Sequence, residues 1–210
     1  MNRIRMGAAL AGAWMVAGPL TAHAGSFDFL DGYYVPDSSM ELQGPVVGSV
    51  DSDGGDGFGL RLSAMLGDNV FLAGEYQSNN YDGFDGADLN TDLDETRIGL
   101  GYAGQTVPVY LQIQYVRSEL QIPNDSATDS GYAAHLGFRH DLGELFTVEA
   151  NVGYLDIGDA GSGLEYLVGA GIRLDQNFGI FADYRVTDLE NDDDQSVKVS
   201  DIRAGLRFRF

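Results

Sequence analysis

The sequence predicts an all-β protein: an antiparallel up-and-down transmembrane β-barrel with ten strands, or eight as the alternative count. Three observations support this fold class. Apolar and polar residues alternate with a period of two along most of the chain, the links between these segments are alternately short and long, and aromatic residues collect near both strand ends. The 29 glycines and five prolines among 210 residues also suit strands and tight turns.

Composition excludes several classes of function. The chain has 32 acidic and 12 basic residues, a formal net charge of −20, which makes it a poor partner for nucleic acid. It has no cysteine, so disulfides, thiolate metal sites and cysteine nucleophiles are ruled out.

The N-terminus has the pattern of a secretory signal peptide. Arg3 and Arg5 precede an uncharged run, Met6 to Val16, and Ala22-His23-Ala24 offers small residues to a signal peptidase. A membrane anchor is the alternative, but this run is too short to cross about 30 Å of hydrocarbon. We expect residues 1–24 to be cleaved, which leaves residues 25–210 as the barrel.

The alternation is clearest at the C-terminus, where even positions from Ile202 to Phe210 are apolar or Ala and odd positions are Arg or Gly. A period of two gives a strand one apolar and one polar face. Eight further segments repeat it, within residues 58–64, 70–77, 97–102, 109–115, 132–139, 146–154, 164–173 and 178–185. A first strand near residues 27–40 makes ten, although its aromatic residues fall on both parities.

The predicted links divide into two sets. Short links are expected at 67–69, 103–107, 141–144 and 175–177, and longer polar links near 43–56, 79–94, 121–129, 156–163 and 188–196. Because short and long links alternate, they would give the barrel two unlike ends.

Aromatic residues distinguish a membrane barrel from its alternative, an acidic secreted β-sandwich. Lipid interfaces favour two aromatic girdles around an aliphatic band, whereas a soluble interior has no reason to sort aromatics to its two ends. The residues predicted at the long-loop rim are Phe58, Tyr76, Tyr115, Tyr132, Tyr154, Tyr166 and Tyr184; those at the short-turn rim are Tyr102, Phe138, Phe146, Phe178, Phe208 and Phe210. Phe71, Tyr110 and Phe181 lie on the polar face of their strands, so we expect them to fill the interior.

The chain resembles the small outer-membrane β-barrel superfamily, which includes opacity-type proteins and the membrane domain of the outer-membrane protein A family. The resemblance is carried by Gly57-Phe58-Gly59, by residues 96–102 (TRIGLGY) and by the terminal residues 205–210 (GLRFRF). It implies location in the bacterial outer membrane, contact with lipids and lipopolysaccharide, and recognition of Phe210 by the barrel-assembly machinery. The commonest members have eight strands, so a count of ten departs from them.

Neither histidine of the mature chain is a strong catalytic candidate. A membrane-embedded hydrolase that used a base or triad would need a histidine near a carboxylate or serine at the outer rim. We expect His135 to face the lumen and His140 to lie at a short turn beside Asp141. The sequence therefore predicts no catalytic residues and no enzyme, with a hydrolase as a distant alternative.

Acidic clusters raise the question of bound calcium. They are residues 51–56 (DSDGGD), Asp192-Asp193-Asp194, and Asp82, Asp85, Asp88, Asp92, Asp94 and Glu95. None has the spacing of an EF-hand loop. We predict no metal site and no cofactor, apart from loose Ca²⁺ or Mg²⁺ shared with lipopolysaccharide phosphates.

The polar parity places charged residues in the lumen: Arg61, Glu75, Arg97, Arg139, Glu149, Glu165, Arg173, Asp183, Arg185, Asp201, Arg203 and Arg207. Paired, they would close the interior as a plug; unpaired arginines would line a narrow pore for ions or small solutes, and the lumenal glycines leave room for one. The preferred interpretation is the plug, in a structural or surface-interaction protein that displays acidic loops, with no particular extracellular ligand predicted.

Overall fold

The computed structural model describes residues 27–45, 48–52, 54–85, 90–104, 108–123 and 125–210. The predicted signal peptide lies outside the described residues, as do Asp53 and Asp88 of the acidic clusters. No helix in the part of the chain that the structure describes is long and apolar enough to span a membrane.

The described residues form eleven strands and one 3₁₀ turn, Gly158–Ala160. The strands are β1 (Phe29–Gly44), β2 (Gly48–Asp51), β3 (Gly55–Met65), β4 (Val70–Tyr81), β5 (Thr91–Ala103), β6 (Val109–Ile122), β7 (Asp125–Leu142), β8 (Phe146–Asp156), β9 (Ser162–Arg173), β10 (Phe178–Glu190) and β11 (Ser196–Arg209).

Ten of these strands close into a barrel, which confirms the predicted fold class and strand count. From β3 to β11 each strand pairs antiparallel with the next, β1 pairs with β3, and β11 pairs back onto β1. Strand β2 is additional: it pairs with the far end of β1, inside a region that the sequence assigned to a loop.

A β-bulge explains why the facing of the first strand was ambiguous in the sequence. Tyr33 and Val35 are buried, whereas beyond the break in register between Tyr34 and Asp37 it is Ser38 and Met40 that are buried. Since a bulge adds one residue to one strand, the inward parity changes from odd to even at this point.

Strand extends into both ends of the predicted long links, which corrects their boundaries. Strand β6 ends at Ile122 and β7 begins at Asp125, so nearly all of 121–129 belongs to the sheet. Residues 79–81, 91–94 and 188–190 are likewise strand. Polar residues on the outer face of a strand that projects into water have the composition of a loop, which is why the sequence suggested one.

The short links fall within about two residues of their predicted positions, between β3 and β4, β5 and β6, β7 and β8, and β9 and β10. In one of them the Asp175 carboxylate accepts hydrogen bonds from the backbone N–H groups of Phe178 and Asn177, at 2.7 and 2.8 Å. These bonds stabilise the charged form and lower the pKa of Asp175.

Two regions of the barrel follow from the strand lengths. The lower barrel runs from the short turns up to the outward aromatic residues near the far end. The parts of the strands that extend beyond these aromatic residues form the collar. They are residues 38–44, 78–81, 91–94, 117–122, 125–131, 187–190 and 196–200. In β7 alone the collar extends from Tyr132 to Asp125, roughly 24 Å at ~3.4 Å per residue.

Candidate functional site

Eleven charged or histidine side chains form an unbroken series of contacts across the lumen of the lower barrel. In order they are Arg207, Asp31, Arg61, Asp183, Arg203, Glu75, Arg185, Glu95, Arg97, Glu165 and His135. The N–O distances between neighbours run from 2.5 to 3.7 Å. We call this series the charge plug, and it joins eight of the ten barrel strands.

Arg203 lies at the centre of the charge plug and is 1% exposed. Its Nε donates to Asp183 at 2.5 Å and its Nη1 donates to Glu75 at 2.7 Å. Strand β11 carries the arginine, whereas the carboxylates come from β10 and β4, so the side chain holds two parts of the wall together. Charge-assisted bonds of this length are among the stronger protein hydrogen bonds.

Arg97 makes the second junction and crosses from β5 to β9. Its two terminal nitrogens donate to the two oxygens of Glu165, at 2.8 and 2.6 Å, and its Nε donates to Glu95 at 2.7 Å. This bidentate geometry fixes the guanidinium plane of Arg97 relative to the carboxylate plane of Glu165, which a lysine could not do.

The remaining charges predicted for the lumen lie beside this series. Asp201 is 3.3 Å from Arg185, and Arg139 is paired with Glu149 at 2.6 Å. Arg173 is at the turn end, where it contacts Asp141 at 3.0 Å and is partly exposed.

Sequence reasoning missed two members of the charge plug. Asp31 is fully buried and accepts from both Arg61 and Arg207, but it precedes the bulge in a strand of ambiguous facing. Glu95 was grouped with the acidic loop residues, although it has the same parity as Arg97 in β5 and therefore the same inward facing. That shared parity was the signal available in the sequence.

Aromatic rings occupy the space that the lumenal glycines leave, which corrects the argument that glycines keep a pore open. A Cβ on Gly101 would lie 2.0 Å from the Phe71 ring, and one on Gly137 would lie 2.0 Å from the Tyr110 ring. Phe71, Tyr110 and Phe181 are buried inside the barrel. A cavity of about 60 Å³ remains at this level.

A larger cavity opens above the charge plug, inside the collar. Its volume is about 240 Å³. Its walls are mainly aliphatic and include Leu93, Leu120, Leu189 and Val197, all on the inward parity of their strands. The sequence assigned most of this region to loops and therefore did not predict an apolar interior there.

His135 and His140 lie on opposite faces of β7. His135 is buried, and its Nε2 lies 2.9 Å from Glu165 Oε1, a carboxylate that already binds Arg97. His140 is exposed on the opposite parity of β7. Among the described residues no three His, Cys, Asp or Glu side chains are grouped so as to hold a metal ion.

The residues predicted to form the two girdles point outward or lie at the outer surface. Tyr132 and Phe58 are 67% and 59% exposed, and the Tyr115 and Tyr132 rings meet edge-to-face. Exposed Leu100, Ile113 and other aliphatic residues lie between the two sets of rings. An apolar exterior around a charged interior is the arrangement of a barrel in lipid.

Comparison with known proteins agrees with this architecture. A family model described as "Outer membrane protein beta-barrel domain" matches residues 8–165. No curated protein matches the chain in sequence.

Three solved structures illustrate the similarity. The translocator domain of the autotransporter NalP from Neisseria meningitidis is 12% identical, with 90% of each chain covered and a TM-score of 0.49. Ail, the attachment invasion locus protein of Yersinia pestis, is 15% identical, with 86% of this chain and 99% of that chain covered and a TM-score of 0.38. Neisserial surface protein A is 13% identical, with 87% and 97% covered and a TM-score of 0.42.

Proposed function

The chain belongs to the outer-membrane protein β-barrel family, and we propose that within the bacterial outer membrane it is a closed barrel with a structural or surface-interaction role, not a pore. The charge plug is the observation that carries this proposal. Its contacts cross the lumen, for example from Arg97 to Glu165 and from Arg203 to Glu75. They therefore occupy the space through which an ion would have to pass.

Opening the charge plug would be costly. A hydrated ion that entered would have to separate buried charges that satisfy one another, and an uncompensated buried charge costs about 3–5 kcal/mol. The aromatic rings packed against Gly101 and Gly137 obstruct the same level of the lumen. Both features favour a static interior over a gated one.

The exterior supports the surface role. In barrels of this kind the longer connections face outside the cell. In this chain those connections include exposed Asp192, Asp193 and Asp194. They would share Ca²⁺ or Mg²⁺ with lipopolysaccharide phosphates, since without such ions they would repel that leaflet. Phe210 is the proposed recognition residue for barrel assembly. We propose no catalytic role for the chain.

The test is single-channel conductance of the refolded mature chain in a planar lipid bilayer, with a 16-stranded porin inserted in the same bilayers as a positive control. Folding is verified beforehand by resistance to SDS without heating. The proposal predicts no steady current steps. Reproducible steps whose ion selectivity changes in Arg203→Glu would contradict it and identify the lumen as a narrow pore.

A further inference from the structure

We propose that the collar cavity is a binding site for a small uncharged molecule with an apolar body, such as a medium-chain alcohol or ester. This inference is independent of whether the barrel conducts. It rests on the size of the cavity, its walls, its floor and its mouth.

The size and walls define the apolar body. A dry 150 Å³ cavity accommodates benzene, so about 240 Å³ accommodates a ligand of about ten non-hydrogen atoms. Leu93, Leu120 and Leu189 would leave enclosed water with few hydrogen-bond partners on their side. Displacing such water by hydrocarbon is favourable.

The floor offers a ligand no free cation. Arg185 lines the cavity and is buried, and its Nη2 donates to Gln77 and Asp201 at 2.8 and 3.3 Å. Its Nη1 has no hydrogen-bond partner among the described residues and approaches Glu95 and Glu75 only at 3.4 and 3.7 Å. Burial leaves this nitrogen almost no accessible surface, and two carboxylates face it, so the charge of Arg185 belongs to the charge plug and is not offered to a ligand.

The charges around the cavity exclude an anion. Asp129 and Asp159 line the mouth, and Glu95 and Asp201 lie at the floor. A carboxylate ligand would meet these groups in a site with little water, where repulsion between like charges is weakly screened. An alcohol of the same chain length avoids that repulsion.

The experiment uses the refolded mature barrel in lipid nanodiscs and a photoreactive diazirine analogue of 1-octanol. Labelled residues are mapped by mass spectrometry. Residues that face lipid, such as Leu100 and Ile113, are labelled by probe dissolved in the bilayer and serve as the internal reference. We expect additional labelling of Leu93, Leu120 or Leu189, and unlabelled 1-octanol should displace it at concentrations about tenfold lower than octanoate.

A pair of variants separates the cavity from the rest of the surface. Ala127→Trp places a side chain about as large as the ligand inside the collar, whereas Thr128→Trp places it on the outer face of the same strand. Collar labelling should fall about tenfold in A127W and stay unchanged in T128W, with both variants resistant to SDS without heating. Labelling confined to lipid-facing residues, or equal labelling of the collar in both variants, would overturn the proposal.

Discussion

The lower barrel and the collar are built from the same strands but have opposite chemistry on their two faces. In the lower barrel the inward side chains are charged and the outward ones are apolar, as with Arg203 and Leu206 of β11. In the collar the inward residues of that strand are Val197 and Val199, and its outward residues include Lys198. Odd-numbered residues face inward along the whole of β11. The polarity of the inward residues therefore changes along the strand without a change in which positions face inward.

The difference shows that the face on which a strand carries its polar residues depends on the medium around that part of the strand, lipid or water. A strand in hydrocarbon must turn its apolar side outward, and one that projects into water must turn it inward. Strand β5 repeats the change: Arg97 and Glu95 face inward in or near the lower barrel, and Leu93 faces inward in the collar. The lower lumen is therefore stabilised by paired charges and the collar by apolar packing.

The largest expected effect comes from breaking the charge plug. Arg203→Glu would leave Asp183 and Glu75 with only their longer contacts to Arg61 and Arg185, at 3.4 and 3.7 Å, and add a third carboxylate beside them. We expect a loss of about 3–5 kcal/mol in the free energy of unfolding, measured by urea titration of the refolded barrel. Arg173→Glu is the matched control, since Arg173 is partly exposed at the turn end and its pair contributes at most about 1 kcal/mol. Equal losses in both variants would mean that burial does not strengthen the central pairs.

The second prediction tests whether the base of the collar is a packed apolar core. Leu189 is buried against Leu155 and Ile157, so Leu189→Ala should lower the free energy of unfolding by about 2–3 kcal/mol. Asp188→Ala, which changes the neighbouring outward side chain, should stay within about 0.5 kcal/mol. The same urea titration measures both, and a neutral Leu189→Ala would show that the collar interior is wet and adds no stability.

The smallest effect tests how tightly the lower lumen is filled. Gly101→Ala brings a methyl group into the Phe71 ring and should cost about 1–3 kcal/mol. Gly32→Ala faces outward, where the nearest side-chain atom would be 3.7 Å away, and should be close to neutral. Thermal unfolding in detergent, followed by gel mobility, compares the two. If Gly101→Ala were as stable as Gly32→Ala, the lower lumen would have room for an added methyl group, contrary to the structure.

Much of the fold could be predicted because alternation is a local property of the chain. Nine of the barrel strands and the inward facing of Phe71 and Phe181 follow from parity, and the four short turns follow from the lengths of the links between those strands. The failures occurred where parity or polarity changed along a strand. The bulge after Tyr34 obscured the facing of Asp31, and the change of polarity above Glu95 made the collar resemble loops.

The sequence by itself determined that this protein is a barrel, because a period of two with aromatic residues at both ends of an apolar face suits strands that cross a bilayer. Only the tertiary structure decided which charges meet. Arg97 and Glu165 are 68 residues apart, and their contact depends on barrel closure, strand tilt and register. The same closure brings Leu93 and Leu189 to one cavity, since enclosed space belongs to the assembled wall and to no single strand.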